Sequence, residues 1–452
     1  MDQQEFRSKS YWLEIAGPYI ESPPLAEPIR ADVAIVGGGF TGLSAAFYLK
    51  QADPALRVVL LEQQVIGYGA SGRNGGFAMT LFGLTMEITK LRFGREAVRE
   101  AQHVMDRAVE HVGELVQTHN LQCDYEKTGL MTVAISEAGK RRLIAETELA
   151  NSLGFTSIRW IDARAARERV NSPTYLGGRV EDNCALINPA KMAWELKRLC
   201  LDAGVKIYER TAVEQVYAGS RTLVLVTPQA VVQADKVILA TNAYSGHFPQ
   251  LHRQQAAVYT YIVVTEPLSE AQLAPIGWQS RVGIEDGRNL VHYYRLTPDN
   301  RLLMGGGDVQ IFPGGGLGDD RHAATRAELE AHVQWTFPSL RGVHFTHHWG
   351  GPVSVPLDMA PAMGYVGDDR RLMVAFGCVG HGVAQTLFNG VILRDLALDR
   401  KTEWTDLFFV NRRTIRWPAE PLFTPMAQAI RSGMRWDDRR AEGGGRRAMN
   451  KE

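Results

Sequence analysis

The chain has 452 residues, 45% of them hydrophobic, enough to bury a sizeable core and to suggest two domains. Lys plus Arg and Asp plus Glu both number 50, so the net charge is zero and nothing electrostatic argues for nucleic acid or an anionic membrane as partner. The four cysteines, Cys123, Cys184, Cys200 and Cys378, form no Cys-x-x-Cys pair, which speaks against a zinc site or a disulfide framework and for a reducing cytoplasm.

Residues 1–18 carry Asp2, Glu5, Arg7 and Lys9 and lack the apolar core of a signal peptide. No run of about 18 apolar residues is present for a membrane helix. Tyr11 and Trp12 read as an arm packed on the body.

A short apolar run over 33–36 breaks into Gly37-Gly38-Gly39-Phe40-Thr41-Gly42 and resumes with Leu43, Ala46, Phe47 and Leu49 at helical spacing. That is the pattern of strand, tight turn and helix. Gly37 permits the sharp exit from the strand, Gly39 lets backbone approach a pyrophosphate, and Gly42 lets helix and strand pack closely. The helix start at Phe40 and Thr41 presents free N–H groups to the phosphates. A second strand over 57–61 ends in Glu62, where such folds place the acid that binds ribose hydroxyls. An acid there favours FAD or NAD over NADP, whose 2′-phosphate it would repel. The following segment, 67–76, is too rich in glycine for the interior of an element. It reads as a second cofactor loop, with Ser71, Arg73, Asn74 and Gly75 in contact.

Three later segments join these motifs: Ala240-Thr241-Asn242-Ala243-Tyr244, then Tyr293-Tyr294-Arg295 with Leu303-Met304-Gly305-Gly306, and finally Gly377-Cys378-Val379-Gly380-His381-Gly382. Together the set resembles the D-amino-acid-oxidase-like FAD oxidoreductases, and within them a branch similar to gamma-glutamylputrescine oxidase. The resemblance runs from Tyr11 to Leu398 and implies an α/β fold, in which a Rossmann-like FAD-binding domain joins an α+β substrate domain with an antiparallel sheet. The FAD domain would comprise 28–85, 185–246 and 347–402, and the substrate domain 86–184 and 247–346. Residues 403–452 would be a C-terminal extension. The resemblance further implies that backbone groups of Val213 meet the adenine side of FAD, and that 347–364, with Gly351, returns the chain to the flavin.

Residues 86–122 read as one long amphipathic helical stretch with Val98, Ala101, Val104, Met105, Ala108, Val112 and Leu115 on its apolar face. A strand or hairpin over 124–135 and a charged helix over 137–153 follow. Asn188 and Pro189 fit the cap and first turn of a helix over 190–203. Strands over 205–208, 212–218 and 231–239 come next, the last ending in a small-residue turn at Thr241, the strand end where open α/β sheets bind ligands.

From 247 to 346 the pattern changes to longer strands, over 257–265, 290–296 and 301–305. One face of this sheet should cover the flavin ring, equipped by Tyr259, Tyr261, Tyr293, Tyr294 and Arg295. Alternation puts Tyr293 and Arg295 on one face and Tyr294 on the other, so Tyr293 and Arg295 are the candidates for positioning substrate. The glycine-rich stretch over 305–320 reads as a flexible connection. Some sarcosine-oxidising relatives carry a lysine near the position of Met304 that promotes reaction with oxygen; this chain has none, leaving oxygen or another electron acceptor open. Amino-acid oxidases of the family set an arginine at about Gly351 to clamp the substrate carboxylate, and this chain has glycine.

No cysteine or histidine stands where relatives attach flavin covalently, around Ser71 and Gly351, so FAD should be non-covalent. His347 and His348 face opposite sides of a strand, which argues against a metal site there. Gly380, His381 and Gly382 open an apolar helix over 383–398 whose N-terminus would aim positive charge at the flavin. The tail beyond Trp417 is rich in Pro, Arg and Gly, and disorder is expected past Asp438.

The expected reaction is oxidation of a small primary or secondary amine by hydride transfer to flavin N5, giving an imine that hydrolyses. The alternatives are a dehydrogenase using an acceptor other than oxygen, or an enzyme modifying an amine within a larger scaffold.

Overall fold

Residues 3–219 and 221–449 are described in a computed structural model. Ile29–Val36 lies at the centre of the first sheet. Val231–Leu239 and Val58–Leu61 flank it in parallel, with Ile35 level with Ile238 on one side and Leu60 on the other. Lys206–Tyr208 and Asp369–Phe376 extend the parallel order outward, and Ala362–Val366 closes one edge antiparallel. Gln215–Ala218 and Leu223–Val226 form an antiparallel branch from Val231–Leu239.

Strands that are apolar on both faces belong in a sheet covered on both sides. Here Ile35, Leu60 and Ile238 pack on the helices Phe40–Ala52, Pro189–Asp202 and Gly382–Ala397, while Ala34, Val36, Leu61 and Leu239 pack on the branch and on Phe248. Asn188 caps the second of these helices, accepting from Lys191 N at 3.1 Å, and Pro189 occupies its first turn as the sequence predicts.

The second sheet also has eight strands, in the order Phe345–Val355, Ala256–Thr265, Leu302–Ile311, His292–Leu296, Gly283–Asp286, Leu130–Val133, Gly177–Glu181, Arg159–Asp162. It is antiparallel except where Gly283–Asp286 meets Leu130–Val133. Its first strand corrects one boundary. Residues 347–355 were expected in the FAD domain, yet Phe345–Val355 pairs along its length with Ala256–Thr265, and the chain rejoins the first sheet only at Ala362–Val366. One face of the second sheet is a core in which Tyr259, Tyr261, Tyr294 and Met304 pack with Leu329 and Val333 of the helix Ala323–Thr336.

Two further expectations are corrected. The stretch 86–122 is two helices, Met86–Phe93 and Arg95–His119, because Gly94 between them takes φ of 90°, a conformation that breaks a helix and suits glycine alone. The apolar face predicted for it is buried on the second of them. Past Asp438, where disorder was expected, the described residues are helical: a helix runs Phe423–Met449, and 450–452 lie outside the described residues. Its apolar residues Phe423 and Ala427 pack on Trp417 and Ala256, and Asp438 accepts from the backbone N–H of Asn289 and Leu290 at 2.9 and 3.0 Å. Composition suggested a solvated tail; the ordering comes from tertiary partners distant in sequence. At the other end Trp12 is fully buried, donating to Asn74 O at 2.9 Å, so the N-terminal arm is anchored as expected.

Candidate active site

The turn leaving Ile29–Val36 is built by close approach. Gly37 adopts φ of 110°, and a Cβ there would lie 2.7 Å from the Ala240 carbonyl oxygen. A Cβ on Gly42 would drive into the carbonyl of Gly37. Gly39 is the N-cap of Phe40–Ala52 and offers no side chain, so the first N–H groups of this helix depend on outside acceptors. Ser71 Oγ already accepts from Phe40 N at 3.0 Å, which makes Ser71 a brace for the turn.

Glu62 follows Val58–Leu61 and accepts from Gly38 N at 2.7 Å and Gln64 N at 2.8 Å. Burial raises its carboxyl to about 7, against the pull of those two N–H groups. Thr241 follows Val231–Leu239, its hydroxyl 2.7 Å from Ser245 Oγ, and the Val213 carbonyl lies 3.2 Å from His247 Nε2. A helix start without a side-chain cap, glycines that leave room for backbone approach and an acid at the neighbouring strand end together fit a dinucleotide's phosphates and ribose.

The second loop turns at Ala70–Gly72 and leads to a cavity of about 220 Å³. Of the residues predicted for the cofactor, Arg73, Asn74, Gly75, Gly351, Gly380 and His381 line this cavity, and Tyr293 lines it with them. Gly37 to Gly42, Glu62, Val213 and Thr241 stand apart from it around the strand ends of the first sheet, linked through the Ser71 brace. Gly382 begins the helix just behind His381.

The wall opposite the loops is the face of the second sheet turned away from its core. Alternation along Ala256–Thr265 turns Val258, Thr260 and Ile262 to the cavity and sends Tyr259 and Tyr261 to the core behind. The tyrosines of this strand therefore do not equip the site. Tyr293 does: its ring lies over Gly75 and Gly305, where added Cβ atoms would come within 2.7 and 2.5 Å of it.

Arg295 shares the face of Tyr293, as predicted, but does not line the cavity. It is fully buried, donating to Ile187 O at 2.8 Å and Gly76 O at 3.4 Å, with its guanidinium 5.3 Å from the Trp12 ring. Burial lowers it to about 10, against the raising effect of Glu126. Its task is to fasten the loop at Gly76 to the sheet. Arg295→Met is expected to cost about 2–4 kcal/mol in unfolding free energy, measured by denaturant titration, because two buried carbonyls lose a charged donor. Substrate KM should stay within about twofold of the parent.

Two contributions were not foreseen. Glu285, level with Tyr293 on the adjacent strand, presents a buried carboxyl to the cavity. The alternation Gly283-Ile284-Glu285-Asp286 carries its signal, an acid on the face opposite a core isoleucine. His381 faces it, Nε2 3.8 Å from Glu285 Oε1, while Nδ1 lies 2.9 Å from Gly83 O, and burial holds this imidazole below its ordinary pKa. The second is the C-terminal helix, whose Ile430, Arg431 and Met434 close one side.

The arginines at the cavity are already paired. Arg73 meets Asp320 at 2.7 Å and Arg431 meets Asp308 at 2.8 Å. Beside the cavity, Asp286, His292 and His332 converge within 4.8 Å of one another, and the space among them is taken by Arg288, whose NH1 lies 2.9 and 3.1 Å from the two imidazoles.

Known proteins resemble this chain in sequence and fold. The family described as DAO, FAD dependent oxidoreductase, matches residues 32–396. Gamma-glutamylputrescine oxidoreductase of Escherichia coli strain K12 is 33% identical over 435 residues, covering 94% of this chain and 97% of that protein. A probable oxidoreductase OrdL of Haemophilus influenzae is 30% identical over 396 residues, covering 86% of this chain and 88% of that protein. The solved structure of glycine oxidase from Geobacillus kaustophilus superposes with a TM-score of 0.72 at 23% identity, covering 85% of this chain and 99% of that one. The dinucleotide turn, the acid at Glu62 and the family match over residues 32–396 agree: the chain belongs to the DAO family of FAD dependent oxidoreductases.

Proposed function

We propose that this enzyme uses non-covalently held FAD to oxidise the C–N bond of a primary or secondary amine to an imine, which water hydrolyses to a carbonyl compound. The observation that carries the amine reading is the charge pattern of the cavity. Arg73 and Arg431 are each paired with an aspartate, Gly351 has no side chain, and the open polar group is the carboxyl of Glu285. Among the described residues an α-carboxylate would find no free cation there, whereas an amine meets an acceptor. One of the relatives is named for an amine, gamma-glutamylputrescine.

The turn at Gly37 to Gly42 with Glu62 would hold the phosphates and ribose, and the loop from Ser71 to Gly75 with Gly351 and the Gly380 to Gly382 turn would hold the ring system. FAD, when bound there, supplies the two-electron acceptor for the hydride. The chain's own part is to bind the amine, hold its C–H in place and keep water out. Val258, Ile262 and the Tyr293 ring form an apolar wall suited to that, and a dry wall favours the neutral amine over the ammonium ion.

Turnover of straight-chain amines to carbonyl products, followed by trapping the carbonyl, tests this reading. Amines should react and their α-carboxylated counterparts should not; the reverse preference would overturn it. Glu62→Ala should weaken FAD binding about tenfold or more, read by flavin fluorescence during titration of apoprotein, since a buried acceptor that also holds the Gly38 N–H is lost.

A second reading concerns the acceptor that restores FAD. The strand end Leu303-Met304-Gly305-Gly306 carries no lysine, which favours an acceptor other than oxygen over oxygen itself. Free thiols at all four cysteines support a cytoplasmic location. No helix among the described residues is long and apolar enough to cross a membrane.

A further inference from the structure

Glu285 has a neighbourhood unlike that of the other buried acids. On its own strand, Asp286 points away and is held by Arg288 and His292. From the strand Gly177–Glu181, Arg179 lies close, but it is bracketed by Glu146 of the helix Glu137–Ser152 at 2.9 Å and Glu181 at 3.5 Å. One cation thus already serves two carboxylates. From His292–Leu296 comes Tyr293, and from the C-terminal helix Arg431, which is occupied by Asp308. Among the described residues the ion-pair partner within reach of the Glu285 carboxyl is His381 Nε2, at 3.8 Å.

His381 sharpens the picture. Its Nδ1 lies 2.9 Å from a carbonyl oxygen, which can only accept, so the proton is assigned to Nδ1 and the lone pair to Nε2. A lone pair therefore faces Glu285. The arrangement suits Glu285 carrying a proton and leaves its ionised form without a donor.

We infer that Glu285 is the group that takes the proton from the substrate's ammonium, with His381 as a positioning residue behind it. The inference rests on the amine reading above. In water an alkylammonium has a pKa near that of lysine, about 10.4, so amines arrive protonated and lack the lone pair that oxidation needs. Beside ionised Glu285 in an apolar cavity, the ammonium and carboxylate form a buried ion pair, which is costly relative to a neutral amine and a neutral acid. The N–H bond breaks, its electrons remain on nitrogen as the lone pair, and an O–H bond forms on Glu285. No electron transfer accompanies the step.

The pH dependence has a definite sign. Burial raises Glu285 to about 8, against the lowering effect of Arg179. Below that pH Glu285 holds its own proton and cannot accept another, so amine oxidation rises through about 8 and levels above it.

The test compares the wild type with Glu285→Gln in FAD-loaded protein, following anaerobic bleaching of the flavin band by pentylamine from pH 6 to 10. A second readout is calorimetric binding of pentyltrimethylammonium, which has no proton to give. Wild-type bleaching should show the rising limb, and the probe should bind more tightly as pH rises through it. Glu285→Gln should lower bleaching by about 100-fold or more and abolish both limbs. Glu285→Asp should restore part of the rate and the limb. A Glu285→Gln protein with unchanged rate and limb would overturn the inference. If that variant fails to hold FAD, probe binding to the wild type decides alone, and pH-independent binding would overturn it. A wild type that no amine bleaches would instead sink the amine reading itself, so the two failures are distinguishable.

Discussion

Valine at position 42 is expected to leave the chain with almost no bound FAD, measured as the flavin-to-protein ratio after purification. Gly42 occupies the first turn of Phe40–Ala52, where even a single Cβ would press into the carbonyl of Gly37. That carbonyl cannot retreat, because Gly37 is itself packed on the Ala240 carbonyl and its N–H is bonded to Leu61 O at 2.8 Å. The helix must therefore move off the strand, and overpacking of this kind costs about 1–3 kcal/mol or more. The larger effect is on binding, since the N–H groups at the helix start lose their aim at the phosphates. Alanine at the same position should give an intermediate flavin content. Full flavin content in the valine variant would mean that this turn does not hold the cofactor.

Ending the chain at Leu422 is expected to raise the KM for amine by at least about tenfold while leaving FAD bound. The helix Phe423–Met449 supplies Ile430, Arg431 and Met434 to the cavity, while the cofactor turn at Gly37 to Gly42 is built by the first sheet. Its removal uncovers the cluster of Ala256 and Trp417 and leaves Asp308 without Arg431 and Arg435. It also frees the loop at Asn289 and Leu290, held now by Asp438. Bleaching by amine should persist at saturating substrate, because Glu285, Tyr293 and the loops remain. Unchanged KM in the truncated enzyme would contradict the helix as a wall of the site. Loss of FAD instead would point to a wider collapse of the fold.

The second prediction could not have come from composition. The tail is rich in Arg and Gly, and its order depends on Asp308, Arg288 and the backbone at Asn289, all more than a hundred residues away. The Gly37 turn was legible for the opposite reason: strand, glycines, helix and the acid at Glu62 are close in sequence, and the chemistry follows from local backbone geometry.

The second sheet falls between these cases. Alternation correctly put Tyr293 and Arg295 on one face and Tyr294 on the other, because period two is local. It could not say that Arg295 ends under Trp12, which comes from the N-terminal arm, or that Tyr259 and Tyr261 face the core. Local alternation sets Glu285 opposite the core Ile284, but its place beside the cavity depends on lateral register: it is level with Tyr293, which is level with Gly305. The long helix prediction failed at Gly94, a single residue whose positive φ divides an otherwise continuous pattern.

The most direct test of the account is an anaerobic titration of purified, flavin-loaded enzyme with straight-chain amines, watched at the flavin absorption band. The account predicts that amines bleach the band, that the matching α-amino acids leave it unchanged, and that acid precipitation afterwards releases all the flavin into solution. Bleaching by α-amino acids in preference to amines, or flavin retained on the precipitated chain, would contradict it.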